Sequence, residues 1–443
     1  MALVAAAVTL FYCLFFFQGY RQLFRDSDAG WHIRNGEAIV ATGSLPHADP
    51  FSFSRPGQAW FAWEWGSDAI LGAIHRAAGL RGVALFYAAL IAASVWLWFH
   101  VHWAVGGDFL LACAMAPLAL STTSLHWMAR PHVIGWLFAL VLLWCVETRR
   151  TPLAGIAVLS MAWANFHASF FLAPVILLIY RRPAAAAVAA AASFANPYGW
   201  HLHRHIYSYL TDSALLDRIA EFQSFDFHTA GSWQILATVM LAIAGGVLAA
   251  TGRRWDRFAL SILFSAIALR SARGLPLAAL LLLPIANAGM ARELPGWWRK
   301  YTTRLRAHDS AMRGLVLAPL LLAGAWTLLR YVPVGFPPDQ FPLAAFPRIP
   351  AEARLFAPDK YGGYLIYRGR TVFFDGRSDF YGAQFLKDYG RMVQVRPGWR
   401  ALWDRWNFTH ALLPADAPLL AALEASGWQR LYADEVAVLL VQR

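Results

Sequence analysis

The chain has 443 residues, of which 58% are hydrophobic and only 14% charged, with 21 Trp. That is more apolar surface than one water-soluble core can bury, and it excludes an ordinary soluble enzyme. The formal net charge of +12 does not imply a nucleic-acid partner, because much of the Arg and Lys sits in short clusters between apolar runs, where it reads as an orientation signal.

Met1 to Tyr20 is apolar, lacks a basic start and is followed by no small-residue cleavage site, so it is expected to be an uncleaved transmembrane helix. Further apolar segments fall at roughly 83–103, 108–126, 132–147, 153–165, 168–180, 184–195, 233–251, 258–270, 274–290 and 314–331. The expected class is therefore a polytopic α-helical membrane protein with about 11 transmembrane or partly inserted helices in residues 1–331, several of them shorter than the ~20 residues a free-standing span needs. A polar segment, 21–82, separates the first two spans.

Basic clusters at Arg149 and Arg150, at Arg181 and Arg182, at Arg253, Arg254 and Arg257, and from Arg292 to Arg313 are each separated by an even number of spans. They are expected on the cytoplasmic side, which puts loop 21–82 and everything after Tyr331 outside. Residues 332–443 begin with a proline-rich stretch. They then alternate strand-like runs (YLIY, TVFF, VAVLLV) with turn residues and one helix near 415–426, predicting a small extracytoplasmic α/β domain. Its glycine pairs are readable as turn chemistry, with Asp375, Arg377 and Asp379 at strand ends.

The same parity gathers the remaining polar residues on the outer face. Asp26 to Trp65 (DSDAGWHIRNGEAIVATGSLPHADPFSFSRPGQAWFAWEW) interleaves carboxylates and His32 with tryptophans, where a plain solvated loop would segregate them. Asp26-Ser27-Asp28 is a D-x-D. On an extended backbone both carboxylates can reach one divalent cation such as Mg or Mn, and equally one of them can act as a general base on an acceptor hydroxyl. Arg130, Arg270 and Arg273 suit a phosphate clamp, the last two sharing a face if the helix continues through them; the alternative is snorkelling to outer headgroups. His132 adjoins Arg130, while Asn165, His167, Asn196 and Tyr198 fall at outer ends of spans, where orienting a substrate competes with plain packing. His201, His203 and His205 would line one face of a strand but splay on a helix; His100 and His102 lack the geometry of two haem ligands. Cys13, Cys113 and Cys145 lie singly inside apolar runs as packing residues.

Taken together, an apolar first helix followed by D-S-D-A-G-W-H-I-R-N-G-E-A-I-V-A-T-G-S-L-P-H-A-D-P-F-S-F, and later E-W, resembles the first external loop of the C-type (GT-C) membrane glycosyltransferases. That superfamily includes protein O-mannosyltransferases, lipid A aminoarabinose transferases and oligosaccharyltransferase catalytic subunits; the likeness is to their uncharacterised bacterial relatives. The resemblance implies a bacterial inner-membrane enzyme with an outward-facing site. Such an enzyme transfers a sugar from a polyprenyl-phosphate carrier, with Asp26 and Asp28, and Glu64 in addition, as acidic catalytic or metal-binding residues. The chain departs from the oligosaccharyltransferase pattern in STTSLHWMARPH, which carries no carboxylate, so a metal-free mechanism stands beside a metal-dependent one. The acceptor is unspecified. A non-catalytic lipid-linked saccharide transporter or glycan-assembly partner, and a glycan ligase or polymerase, are the competing readings.

Overall fold

A computed structural model describes residues 1–16, 19–312 and 314–442. Phe17, Gln18, Arg313 and Arg443 lie outside it, and with them part of the first predicted span and the last residue of the 292–313 basic cluster. The described chain is mostly helical, with one small sheet near its C-terminus. In chain order the first helices are α1 (Ala2–Phe15), α2 (Asp28–Thr42), α3 (Trp65–Val105), α4 (Phe109–Ser124), α5 (His132–Glu147), α6 (Leu153–Phe166), α7 (Leu172–Ile179), α8 (Pro183–Ala192), α9 (Trp200–Thr211) and α10 (Ser213–Leu216). They are followed by α11 (Ser232–Thr251), α12 (Trp255–Arg270), α13 (Gly274–Glu293), α14 (Gly296–Ala311) and α15 (Ala318–Leu329).

Four segments, 65–105, 232–251, 274–293 and 296–329, are long and apolar enough to cross a membrane. Six of the other predicted spans are apolar helices of only 10–17 residues, below the ~20 residues that cross a bilayer unaided, and the predicted 258–270 span lies in α12, which is not among the apolar helices. Helix α13 is the axis of the bundle: buried on nearly every side, it packs against α3, α4, α5, α11 and α12. Its interior carries Pro284, itself buried, which has no N–H to give the helix ladder at that point.

The polar segment 21–82 is not a loop. Residues 28–42 form α2, and α3 begins at Trp65, well before the predicted start at 83. Helix α3 has 41 residues, which at ~1.5 Å per residue is about twice a bilayer core. It is divided at Gly79, whose φ of 60° and ψ of −161° are open essentially to glycine alone. The piece before Gly79 carries Asp68, His75 and Arg76 and packs on α2; the piece after it is the apolar predicted span. The α2–α3 crossing is a glycine contact, since a Cβ on Gly36 would lie 1.7 Å from the Asp68 carbonyl oxygen and one on Gly72 would lie 2.1 Å from the Gly36 carbonyl carbon.

The C-terminal part adds α16 (Asp359–Tyr367), α17 (Ser378–Val393), α18 (Trp399–Asp404) and α19 (Pro418–Ala425). Its strands are β1 (Leu355–Phe356), β2 (His410–Pro414), β3 (Gln429–Ala433) and β4 (Ala437–Val441), in the order β1-β2-β4-β3 with only the β1–β2 pair parallel. The predicted helix near 415–426 and the VAVLLV strand are present. YLIY is not a strand: it lies in α16, and Gly362 and Gly363 belong to that helix instead of a turn. TVFF pairs only through an isolated bridge between Val372 and Ser52. The glycines serve close approach. Cβ atoms on Gly30 and Gly363 would come within 2.1 Å of the Gly363 carbonyl and 2.0 Å of the Ser27 carbonyl respectively, so α16 lies directly on the start of α2.

Candidate active site

The start of α2 is where the two parts of the chain meet. Ser27, with φ −66° and ψ −21°, precedes Asp28, the first residue of the helix, and Asp26 Oδ1 accepts the Asp28 backbone N–H at 2.9 Å. The D-x-D backbone is therefore turned into a helix start and is not extended as the cation-chelating reading requires. Both carboxylates instead address one guanidinium: Arg130 Nη1 donates to Asp26 Oδ2 at 2.6 Å, and its Nη2 lies 3.0 Å from Asp28 Oδ2. Arg130 stands between them where a shared cation would stand. Among the described residues, no group of three or more His, Cys, Asp or Glu is arranged to hold a metal ion.

A third carboxylate completes the cluster. Glu221 Oε1 accepts from Arg130 Nη1 at 2.9 Å, and Glu221 Oε2 accepts from Arg273 Nε at 2.5 Å. The short 3₁₀ turn carrying Glu221 is stapled to the segment between α12 and α13, with Arg273 N–H donating to the Glu221 carbonyl at 3.2 Å and Ala272 N–H to the Gln223 carbonyl at 2.9 Å. Arg273 also lies 4.6 Å above the Phe222 ring. Sequence reasoning missed Glu221, whose surroundings look like any polar loop. Arg270 is not a partner in this arrangement. Helix α12 ends there and Ser271 is extended; Arg270 is exposed, with no carboxylate within ion-pair distance among the described residues, and it lines the inner of two adjoining cavities without joining the cluster.

Two cavities meet at this cluster, sharing Asp28, Arg130, Glu221, Arg273 and Gly376 as walls. The outer one, about 1120 Å³, lies between the α2 start and helices α16 and α17. The inner one, about 570 Å³, runs past Trp31, Trp60, Trp63, Glu64, His132 and His167. It continues to Phe171 and Leu210, which also face the outside of the bundle. Gly376 forms the partition: a Cβ there would sit 2.0 Å from Asp28 Oδ1.

Electrostatics separates the carboxylates by role. Asp28 is 5% exposed, and burial together with the neighbouring Asp26 pushes its pKa up to about 7 despite Arg130. Glu64 is raised well above the usual carboxylate range, first by burial and then by Asp68, which favours its protonated form. Burial raises Glu221 as well, but Arg273 and Arg130 outweigh it and hold Glu221 well below the normal range, which favours its ionised form. Glu64 lies between His167 Nε2 at 3.7 Å and His32 Nε2 at 3.9 Å.

Other sequence-predicted residues sit behind the walls. His32 is 1% exposed and bonds Asp68 at 2.6 Å, with Asn35 donating to the other Asp68 oxygen at 2.6 Å; Trp31, its neighbour, faces the inner cavity instead. Asn165 accepts from Trp65 Nε1 at 2.9 Å and donates to two carbonyls, and Asn196 caps its own turn. Tyr198 packs tilted against Phe61 with ring centroids 4.0 Å apart and donates to the Ala62 carbonyl at 3.4 Å. These three hold the wall loops and line neither cavity. His132 and His167 do line the inner cavity, His132 donating from Nε2 to the His126 carbonyl at 2.7 Å and His167 bonding Ser169 through Nδ1, also at 2.7 Å. His201, His203 and His205 lie on α9 and diverge, His203 bonding Ser193 and His205 bonding Asp379 of the C-terminal part. Asp375 and Arg377 form a buried pair, extended by Asp49, that fixes the Gly376 partition from behind. No protein-family model and no curated protein matches the chain, so the functional reading rests on this geometry.

Proposed function

We propose that the chain is a multi-pass membrane glycosyltransferase of the GT-C type that transfers a sugar from a polyprenyl-phosphate carrier to an acceptor hydroxyl. The observation that carries the reading is the meeting of two cavities at Asp28, Arg130, Glu221 and Arg273, one leading to the apolar flank and the other to the C-terminal part. The lipid donor enters along the inner cavity, its sugar among the tryptophans, and the acceptor along the outer one. Asp28 takes the proton of the acceptor hydroxyl as its oxygen bonds the sugar carbon; the bond from that carbon to the phosphate oxygen breaks and its electron pair leaves with the phosphate. Arg130 and Arg273 receive the developing charge, and Glu221 holds both guanidinium planes in place.

The reaction is read as metal-free, because the Arg130 guanidinium already occupies the position between Asp26 and Asp28. The shorter apolar helices are read as completing the expected set of about eleven inserted helices, with the site on the outer face of a bacterial inner membrane. The test is transfer from a panel of polyprenyl-phosphate sugars by the purified protein, compared with Asp28→Asn and Arg130→Lys at equal membrane abundance. Transfer that both substitutions abolish supports the enzyme. No transfer from any donor by the parent, with donor still bound, would leave a non-catalytic lipid-saccharide binder.

A further inference from the structure

The outer cavity carries more positive charge than the proposed chemistry uses. Its walls hold eight Arg and Lys against five Asp and Glu. Near the cluster the charges are matched, since Arg130 and Arg273 are bonded to Asp26, Asp28 and Glu221, and Arg25 is spent on the Ser124 and Leu125 carbonyls. The excess lies at the mouth. Arg218 follows α10, Lys360 is on α16, Lys387 and Arg391 are on α17, and Arg396 follows it; all five are exposed. Arg391 has a loose partner, Asp388 at 3.8 Å, whereas among the described residues no carboxylate lies within ion-pair distance of Lys360, Lys387 or Arg396.

A surface cation facing open water needs no explanation, but these ring the mouth of a cavity whose floor is Asp28. A concave surface of one sign focuses the field and concentrates counter-ions in the cleft. Elsewhere in the same C-terminal part some exposed arginines find carboxylates, as Arg400 does with Asp404 and Arg430 with Glu424, and others, such as Arg348 and Arg368, lie over aromatic rings. The five cations at this mouth come from three separate stretches of chain and outnumber the two remaining wall carboxylates, Asp217 and Asp359. Neither the donor phosphate, assigned to Arg130 and Arg273, nor the sugar needs them.

We infer that the outer cavity takes an anionic acceptor, a glycan bearing carboxylate or phosphate groups that lie on Lys360, Lys387 and Arg396 while its hydroxyl reaches Asp28. This rests on the transferase reading for the role of the bound molecule, but its binding is measurable without any donor. A glycan is favoured over a membrane headgroup because the mouth lies among α10, α16 and α17 and not against the long apolar helices.

The experiment uses the full-length protein in nanodiscs of uncharged lipid and measures binding of a fluorescent oligogalacturonate and of its fully methyl-esterified, neutral counterpart. The acidic oligomer is expected to bind at least about tenfold more tightly than the neutral one and to weaken as salt is raised. Lys360→Gln, Lys387→Gln and Arg396→Gln combined should remove that preference, and the three Lys or Arg exchanges that keep charge (Lys360→Arg, Lys387→Arg, Arg396→Lys) should retain it. Asp28→Asn should leave it in place, which separates this result from the fate of the transferase reading. Equal binding of the two oligomers would overturn the proposal, as would an unchanged preference in the triple Gln variant. Loss of oligomer binding when the nanodiscs contain phosphatidylglycerol would assign the cations to lipid headgroups and overturn it too.

Discussion

In the proposed transfer Asp28 is the residue on which the chemistry turns, because its environment sets both its basicity and its position. With its pKa pushed up to about 7, it is partly protonated at neutral pH and becomes an effective base as pH rises through that value. Transfer kcat/KM should therefore climb across neutrality with an apparent pKa near 7. Asp28→Asn should lower turnover by about 10²-fold or more and abolish that limb. A pH profile in the variant identical to the parent's would remove Asp28 as the base. The arginines divide in the same way. Arg130→Lys loses the two-pronged contact to Asp26 and Asp28, and Arg273→Lys loses its hold on Glu221, so each should cost roughly 10-fold or more in turnover at unchanged net charge. Arg270→Lys should cost less than either, since Arg270 lines the inner cavity but is exposed and bonds no carboxylate among the described residues. Initial rates for the three variants, normalised to membrane abundance, decide this. The sequence made Asp26, Asp28, Arg130 and Arg273 legible because each stands out against an apolar or aromatic background. Glu221 was not legible: its partners lie 91 and 52 residues away, and no local spacing signals an ion pair of that separation.

Glycines decide how the elements dock. Helix α2 crosses α3 through Gly36 and Gly72, α16 lies on α2 through Gly30 and Gly363, and Gly376 allows the 374–378 turn to touch Asp28. Each is a backbone approach too close for any Cβ, which is why the positions look like turn glycines in the sequence yet mostly lie inside helices. The YLIY run illustrates the same limit. Its β-rich composition predicts a strand, but packing on α2 draws it into a helix, since tertiary context overrides a short apolar preference. The apolar spans were legible because length and hydropathy suffice for them, whereas α2 was hidden by a buried face that includes Asp28, His32 and Asn35. Gly376→Ala tests the docking. Asp28 is held by Arg130 and has little room to retreat, so the added methyl should displace its carboxylate. Activity should fall by about 10-fold or more while the protein still accumulates in the membrane, in contrast to Gly36→Ala, which drives a methyl into the Asp68 carbonyl and should reduce accumulation itself. Immunoblotting of membranes beside the transfer assay distinguishes the two outcomes, and full activity in Gly376→Ala would show that the partition does not position Asp28.

Seen along its axis, the molecule sorts its charge to two ends. The turns after α5 and α11 are built alike, with Arg149 and Arg253 in the left-handed conformation, followed by Arg150 and Arg254; Arg181 and Arg182 repeat this after α7. These turns converge on Glu147. Arg257 donates to Glu147 from Nε at 2.8 Å and from Nη2 at 2.7 Å, Arg254 lies 3.3 Å from it, and Tyr180 donates to it at 2.7 Å. The N-terminus joins this end through its contact with Asp309 of α14. Everything assigned to the active site lies at the opposite ends of the same helices: Arg130 before α5, His167 after α6, Arg273 before α13. The turns that carry the basic clusters thus lie at one end of the bundle, as a single orientation of the expected spans requires. A folded bundle that gathered Arg149 and Arg253 at different ends would have been incompatible with one orientation. If the end that carries the basic turns is cytoplasmic, a reporter active only outside the cytoplasm should be active when fused after Gly57 or Gly398 and inactive when fused after Arg150 or Lys300. Residues 57 and 398 must also report together, because Ser54 donates to the Phe373 carbonyl at 2.5 Å and Phe53 N–H donates to the Val372 carbonyl at 3.0 Å, tying the two segments on one side. Opposite compartments for 57 and 398 would dismantle the two-cavity site, since Asp28 and Gly376 could not then share a wall.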